Sequence, residues 1–412
     1  MQNKSKSKPI IFCSAKTQYE NLGDLIINKT LIDNLRAFGD VIANDQGVPQ
    51  EFLDDLSLEE SERSSYYNLN FRLLMLFLCF KARFFEKRTA HYVMQPGHVY
   101  GTSSRFVRLQ LFELIYLFVL KIMDVQISRF GSSIGPFSHA GNILERWKSK
   151  VTSFYSVRDS LSKEYGAKIK IENIHSFPDL AWLMDPYPVN GSVESGLRDG
   201  YVVISFRDST HSSASDTNYV SRLFKVLDTV TQIVCQAHSK QLVVSYQVER
   251  DGDLCKLIRD RYASRYELVF IEERIQLQNV GTFYSKASMV FSNRLHVLLL
   301  GMLHNALPFA ITDKNHTKVL GILSDADLLD SIIDLDACPG TVTAALERVL
   351  SRSEYFKSKI SQTFQKNRAL GHKKFCDFFI GYPDPTHALE ASDRSVCTEE
   401  LKTTKSAESQ QI

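Results

Sequence analysis

Paired cysteine is what this sequence most plainly lacks. Seven cysteines, at positions 13, 79, 235, 255, 338, 376 and 397, form no C-x-x-C spacing, which argues against a disulfide framework and a zinc site and fits a reducing cytoplasm. Charge of one sign is also missing: 49 Lys+Arg stand against 47 Asp+Glu, a net +2. That balance does not suit a protein that wraps a phosphate backbone, so nucleic acid is not an expected partner. Long apolar runs are absent as well. The longest, Leu73 to Phe80, has eight residues where a spanning helix needs about twenty. A second stretch, Phe106 to Met123, is broken by Arg108, Gln110, Glu113 and Lys121 and reads as an amphipathic or buried core helix. Neither G-x-G-x-x-G nor G-x-x-x-x-G-K-[ST] occurs, which argues against NAD enzymes and P-loop ATPases. There is no repeat of fixed period and no acidic cluster with metal-ligand spacing, so neither a solenoid nor a metal centre is expected. The basic start, Met1 to Lys8, leads only into Pro9 to Cys13 before Lys16 and Glu20, the pattern of a first strand rather than a signal peptide.

What is present is an ordinary globular composition, 44% hydrophobic and 23% charged, in 412 residues, enough for two or three domains with substantial cores. Short β-like runs at Pro9–Ser14, His91–Met94, Val125–Phe130 and Phe154–Val157 alternate with helical patterns at Leu25–Phe38, Gly141–Ser149 and Ser160–Tyr165. Such alternation predicts a parallel sheet with helices on its faces. After the Pro-, Gly- and Ser-rich stretch Met184 to Gly200 a second series begins. Strands are expected at Tyr201–Phe206, Gln241–Tyr246, Glu267–Ile271, Met289–Ser292 and Leu307–Thr312, with helices at Tyr219–Ser239 and Asp253–Ala263. The resulting division is an α/β chain with one Rossmann-like domain over 1–190 and another over 198–350, a helical segment over 351–382 and a disordered tail over 383–412. Two such domains place their strand C-terminal ends on either side of one cleft.

The chemistry-bearing residues cluster at those strand ends. Asn21-Leu22-Gly23-Asp24 precedes a helix, where glycine admits close approach and free N–H groups favour an anion; equally, Asp24 caps the helix and Gly23 makes the turn. Phe130 to His139 runs from a strand into a Gly-rich turn. Tyr155 to Ser162 delivers Arg158 and Asp159 to a helix start, as a structural ion pair or as site residues. Val202 to Asp208 ends a buried strand with Arg207, and Ser292-Asn293-Arg294-Leu295-His296 follows another. Arginine just past a strand suits bidentate capture of phosphate or carboxylate. Lys314, His316 and Lys318 follow the next strand. Several cations without a metal cluster point to a small, highly anionic ligand.

In order, NLGD, SSIGPF, YSVRDSLS, FPDLAWLM, VVISFRD and SNRLHVLLLGM, followed by Pro308 and Lys318, resemble the polysaccharide pyruvyl transferase family across roughly Phe12 to Leu323, with R-L-H the strongest of the motifs. The resemblance implies a GT-B-like fold and transfer of pyruvate from phosphoenolpyruvate to a sugar as a ketal. It implies that Arg207, Arg294 and Leu295 hold the donor, that His296 is catalytic, and that Lys318 is the family's lysine if one residue is inserted after Pro308, with Lys314 an unaligned competitor. Asp24 then orients or deprotonates the acceptor hydroxyl, and Asn21, Gly23, His98 and His139 are the acceptor-side residues. At Met94 to His98 the sequence departs from the family's glycine pair. Phosphoenolpyruvate is a co-substrate; no cofactor or metal is implied. The competing readings are a GT-B glycosyltransferase using a nucleotide sugar, for which no acidic ribose-binding residue follows the second-domain strands, and an inactive scaffold. The expected location is cytoplasmic. If the basic aromatic segment Phe71 to Arg88 lies on an anionic membrane rather than packing as an ordinary helix, the protein is peripheral on the inner face and a lipid-linked acceptor is natural.

Overall fold

The computed structural model describes residues 8–190, 196–208, 218–313 and 317–380. The expected disordered tail, together with Lys314 and His316, lies outside the described residues.

The first half builds β1 (Ile10–Ser14), α1 (Leu22–Arg36), β2 (Asp40–Asn44), α2 (Gln50–Asp55), α3 (Phe71–Lys81), β3 (Ala90–Met94) and β4 (Gly97–Gly101). It continues with α4 (Ser104–Ile122), β5 (Gln126–Arg129), β6 (Ser132–Phe137), α5 (His139–Val151), β7 (Phe154–Val157), α6 (Ser160–Lys168) and β8 (Ile174–Ser176). The second half builds β9 (Tyr201–Ser205), α7 (Tyr219–Gln232), β10 (Leu242–Val244), α8 (Gly252–Tyr262), β11 (Leu268–Phe270) and α9 (Val280–Ser285). Then follow β12 (Ala287–Ser292), α10 (Leu295–Leu303), β13 (Leu307–Thr312), α11 (Thr317–Asp325), β14 (Ile332–Asp334), α12 (Pro339–Leu350) and α13 (Ser353–Phe379).

Two six-stranded sheets result, ordered β2-β1-β3-β5-β7-β8 and β11-β10-β9-β12-β13-β14. Their pairings are parallel, with Phe12 opposite Ile42 in the first and Ile204 opposite Phe291 in the second. In each sheet the strand order reverses beside the first strand of its series, which opens a crevice at the strand C-termini. The run Tyr201-Val-Val-Ile-Ser205 is buried at every position, as a central strand covered by helices on both faces must be.

Five strands, β2, β4, β6, β8 and β14, go beyond the sequence reading. β8 and β14 are three-residue edge strands, and β2 carries Asp40 and Asn44 at its ends, too short or too polar to show a period. The stretch read as a Gly-rich turn is instead β6, which pairs in parallel with β4 in a small separate sheet. There Gly135 takes φ +82, and a Cβ would lie 2.5 Å from the Tyr165 ring. A strand with glycine and proline at its centre resembles a turn in sequence; its partner strand decides otherwise.

Two further differences concern helices. α1 starts at Leu22, three residues before the periodic pattern, because the Asn21 side chain accepts a hydrogen bond from the Gly23 N–H at 3.1 Å. Asn21, not Asp24, is therefore the cap. The segment Phe106 to Met123 is not a core helix: α4 buries Leu114, Leu117 and Leu120 against the first sheet and turns much of its remaining apolar surface outward. No described helix is long and apolar enough to cross a membrane.

The segment 351–382 contains α13, which leaves the second domain and lies against the first. Phe375 lies 4.7 Å from Phe130, Phe379 5.0 Å from Phe38, and Phe378 5.5 Å from His91. Arg368 pairs with Asp185 at 3.0 Å. The chain thus passes between the domains twice.

Candidate active site

Two strand ends of the second domain are tied together side by side. The Ser292 hydroxyl donates to the Ser205 carbonyl at 2.6 Å and accepts from the Arg294 N–H at 2.9 Å. The Asn293 amide then takes the Arg207 N–H at 2.9 Å and gives hydrogen bonds to the Arg207 carbonyl at 3.0 Å and the Tyr219 hydroxyl at 2.7 Å. These bonds fix the backbone at Arg207 and Arg294 before any ligand arrives, which is what a pre-organised anion site requires. Arg294 is held by the buried Asp251 through a fork: Nη2 donates to Oδ1 at 2.7 Å and Nε faces Oδ2. Burial raises the Asp251 carboxyl, while Arg294, Arg207 and Arg250 oppose that rise. The Arg207 guanidinium is pushed down to about 10 by burial and by the neighbouring charges of Arg294 and Arg250. Cations crowded this way gain from an incoming anion, which relieves their repulsion. Leu295 opens α10, whose first turn carries no side-chain cap, which leaves its backbone N–H groups suited to an anion.

Facing this cluster is the start of α1. A Cβ on Gly23 would lie 2.2 Å from His296 Nδ1, so only glycine allows the imidazole to pack on the helix. Read from the sequence as a turn or an anion site, Gly23 takes a third role here, contact across the cleft. His296 is itself buried, with Nε2 3.7 Å from Asp179 Oδ1. Burial lowers its pKa, Asp179 opposes that, and Lys318 and Arg158 reinforce it. The ring is therefore poised between two carboxylate- and cation-driven effects, with its neutral form favoured. Asp179 is fully buried, accepts from Arg158 Nη1 at 2.5 Å and from the Ala181 N–H at 2.9 Å, and is held well below the usual carboxylate range by Arg158 and by His296 despite its burial. Arg158 thus pairs with Asp179, not with its neighbour Asp159. Asp159 caps α6 through the Ser162 N–H at 2.7 Å and accepts from the Ser133 hydroxyl at 2.6 Å.

Lys318, on α11, is pushed down to about 8 by burial and by Arg158, while Asp24 and Asp179 hold it up. Asp24 is fixed by the Thr17 hydroxyl at 3.0 Å. At neutral pH Lys318 is thus an ammonium group that can give up a proton readily.

A cavity with about 410 Å³ of empty space, part of it open to solvent, is lined by Asn21, Arg207, Gln247, Arg294, His296 and Lys318, with Leu295 and Asn293 beside them. The structure therefore brings together Asn21, Arg207, Arg294, Leu295, His296 and Lys318, with Gly23 against the histidine and Asp24 near the lysine. His98 lies on β4, 2.7 Å from the Gly135 carbonyl, with its ring 4.6 Å from that of Tyr100. His139 is exposed at the start of α5; neither histidine lines the cavity. Beside Asn21, on the other side of the α1 start, a larger space of about 720 Å³ lies between the domains, lined among others by Tyr19, Phe52, Glu51, Asp55, Arg274 and Gln276. No group of three or more His, Cys, Asp or Glu able to hold a metal occurs among the described residues.

Sequence reasoning missed Asp179, Asp251 and Gln247. Asp179 sits inside the FPDLAWLM motif, and an acid after Phe-Pro at a domain edge is the signal that could have found it. Asp251 and Gln247 follow β10 by a few residues, the same strand-end position that picked out Arg207 and Arg294.

A model of the family described as polysaccharide pyruvyl transferase matches residues 21–314. No curated protein matches the chain in sequence. Among solved structures it is similar to the UDP-GlcNAc 2-epimerase of Neisseria meningitidis bound to UDP-GlcNAc, at 8% identity and TM-score 0.52, covering 91% of this chain and 100% of that one. It is also similar to an α,α-trehalose-phosphate synthase (UDP-forming) of Burkholderia vietnamiensis, at 9% identity and TM-score 0.51, covering 92% and 100%. A third is Staphylococcus aureus MnaA, solved with UDP, at 10% identity and TM-score 0.51, covering 90% and 95%. At such identities the likeness shows the fold alone, and that fold is the GT-B arrangement.

Proposed function

The chain belongs to the polysaccharide pyruvyl transferase family, and on that premise we propose that it moves pyruvate from phosphoenolpyruvate onto two hydroxyls of a sugar, forming a ketal and releasing phosphate. The observation that carries this reading is the single cavity shared by Arg207, Arg294, His296 and Lys318: an anion clamp next to two groups that can carry a proton.

Phosphoenolpyruvate carries a phosphate and a carboxylate on one small carbon skeleton. Arg207, Arg294 and the N–H groups at the start of α10 supply donors for both. The reaction adds a proton to the methylene carbon, which makes the adjacent carbon electrophilic. One sugar hydroxyl attacks that carbon and releases its proton; phosphate then leaves with the C–O bonding pair. The second hydroxyl closes the ring, and its proton ends on phosphate. Lys318 is suited to deliver the first proton, because its lowered pKa makes the ammonium a better acid than an ordinary lysine. His296, favoured neutral by burial, is suited to accept a proton from an attacking hydroxyl, and Asp24 to orient that hydroxyl. The larger space beside Asn21, with an aromatic pair and several polar side chains, gives a sugar chain room on the acceptor side. No cofactor enters this scheme.

The test is thermal stabilisation of the purified protein by phosphoenolpyruvate or by a panel of nucleotide sugars, without acceptor. Phosphoenolpyruvate alone is expected to raise Tm, and Arg207→Ala and Arg294→Lys to abolish the rise. Arg294→Lys keeps a charge beside Asp251 while removing the fork, so its effect reports the clamp rather than an orphaned carboxylate. Stabilisation by a nucleotide sugar, with none by phosphoenolpyruvate, overturns the reading in favour of a glycosyltransferase.

A further inference from the structure

The outer face of α3 and α4 carries the densest field of exposed aromatic and aliphatic side chains among the described helices. The two helices lie side by side: the Tyr116 hydroxyl donates to the Arg72 carbonyl at 3.2 Å, the Arg72 guanidinium lies 5.3 Å over the Tyr116 ring, and Arg83 donates to the Met123 carbonyl at 3.2 Å. Their inner faces share one core with the first sheet. Their outer faces, with the turn Ala82–Glu86 that follows α3, present Phe77, Phe84, Phe85, Phe112, Phe118 and Ile122 to solvent, with Phe85 75% and Ile122 82% exposed. α7, which covers the second sheet, exposes no large apolar side chain at all. Scattered exposed apolar residues are normal, but a contiguous field on two adjoining helices marks an interaction surface.

Charge indicates what covers it. Residues 71–88 and 104–122 contain eight Lys and Arg against two Glu, in a chain whose net charge is only +2. Lys81 pairs with Glu86 and Arg83 with Asp124, whereas Arg72, Lys87, Arg105 and Arg108 are exposed around the apolar field. A second copy seated symmetrically on this face would set the same cations against themselves. An anionic bilayer meets both features at once, apolar side chains entering the acyl boundary and cations meeting headgroups.

We propose that the first domain docks through α3 and α4 on the surface of an anionic phospholipid bilayer, lying on it without crossing. Only two residues separate β4 from α4, so the docked face is continuous with the first-domain strand that carries His98. Docking makes no use of the donor and stands or falls separately from the reaction proposed above.

The test is flotation of the full chain with vesicles of phosphatidylglycerol and phosphatidylcholine in equal parts, and with phosphatidylcholine alone. The wild type is expected to float with the first and, about tenfold less, with the second, and to be released by salt. Phe85→Ser, Phe112→Ser and Ile122→Ser together are expected to lower the floated fraction about tenfold while leaving Tm unchanged, because all three side chains are exposed. Arg105→Glu with Arg108→Glu tests the charge independently and is expected to abolish the preference for phosphatidylglycerol. Wild-type protein that stays at the bottom of the gradient overturns the proposal, as does a stable dimer that the triple variant dissolves.

Discussion

The two domains are both built on six-stranded parallel sheets, with different strand orders, and they divide the cleft unequally. The second contributes charge: Arg207, Arg294, Arg250 and Asp251, with His296 and Lys318 beside them. The first contributes shape and position. Its Gly23 admits the imidazole, its Asp179 faces that ring, and its Asn21 caps the helix that closes the cavity. Two parallel sheets of equal size thus yield a charged wall and a positioning wall, and the difference lies in what each places after its strands.

Three variants test that division. The largest effect is expected for His296→Ala, on the charged wall: kcat should fall about a thousandfold with phosphoenolpyruvate affinity kept within a few-fold, read by steady-state kinetics beside direct titration. Retained turnover would remove the histidine from the chemistry. Lys318 comes next. With its pKa near 8, the ammonium form dominates below that pH and is lost above it, so kcat/KM should decline as pH rises through about 8. Lys318→Arg keeps the charge and should erase that alkaline limb along with about a hundredfold of activity; an unchanged pH profile assigns the proton to another group. The smallest effect belongs to the positioning wall. Gly23→Ala forces a methyl group into the imidazole, and about a tenfold loss in kcat with unchanged donor affinity is expected. A loss as deep as that of His296→Ala would mean that the first domain takes part in the chemistry rather than framing it.

How much of this could be read from the sequence follows from how local each feature is. Parallel α/β domains put ligands at strand C-termini, so Arg207, Arg294 and His296 were legible from an apolar run followed by a charge. Partners are another matter. Arg158 next to Asp159 invites a local pair, yet the arginine reaches Asp179, 21 residues on, because the turn at Leu180–Leu183 folds back over the strand ends. The amphipathic pattern of α4 shows that one stripe is buried, but its interrupting charges conceal how apolar the opposite side remains. Likewise, the period in 353–379 predicts a helix without saying that its last aromatic residues serve the other domain.

That last feature has a bearing on how the protein is made. The chain emerges from its N-terminus, so the first sheet is complete when β8 has been synthesised, yet Phe130, Phe154 and Phe177 wait for Phe375 and its neighbours, some two hundred residues later by the numbering. Until then the nascent first domain exposes an aromatic seam, a state open to aggregation or to capture by chaperones. Synthesis of α13 ends that exposure, so the final helix acts as a clasp that makes completion of the first domain depend on completion of the second.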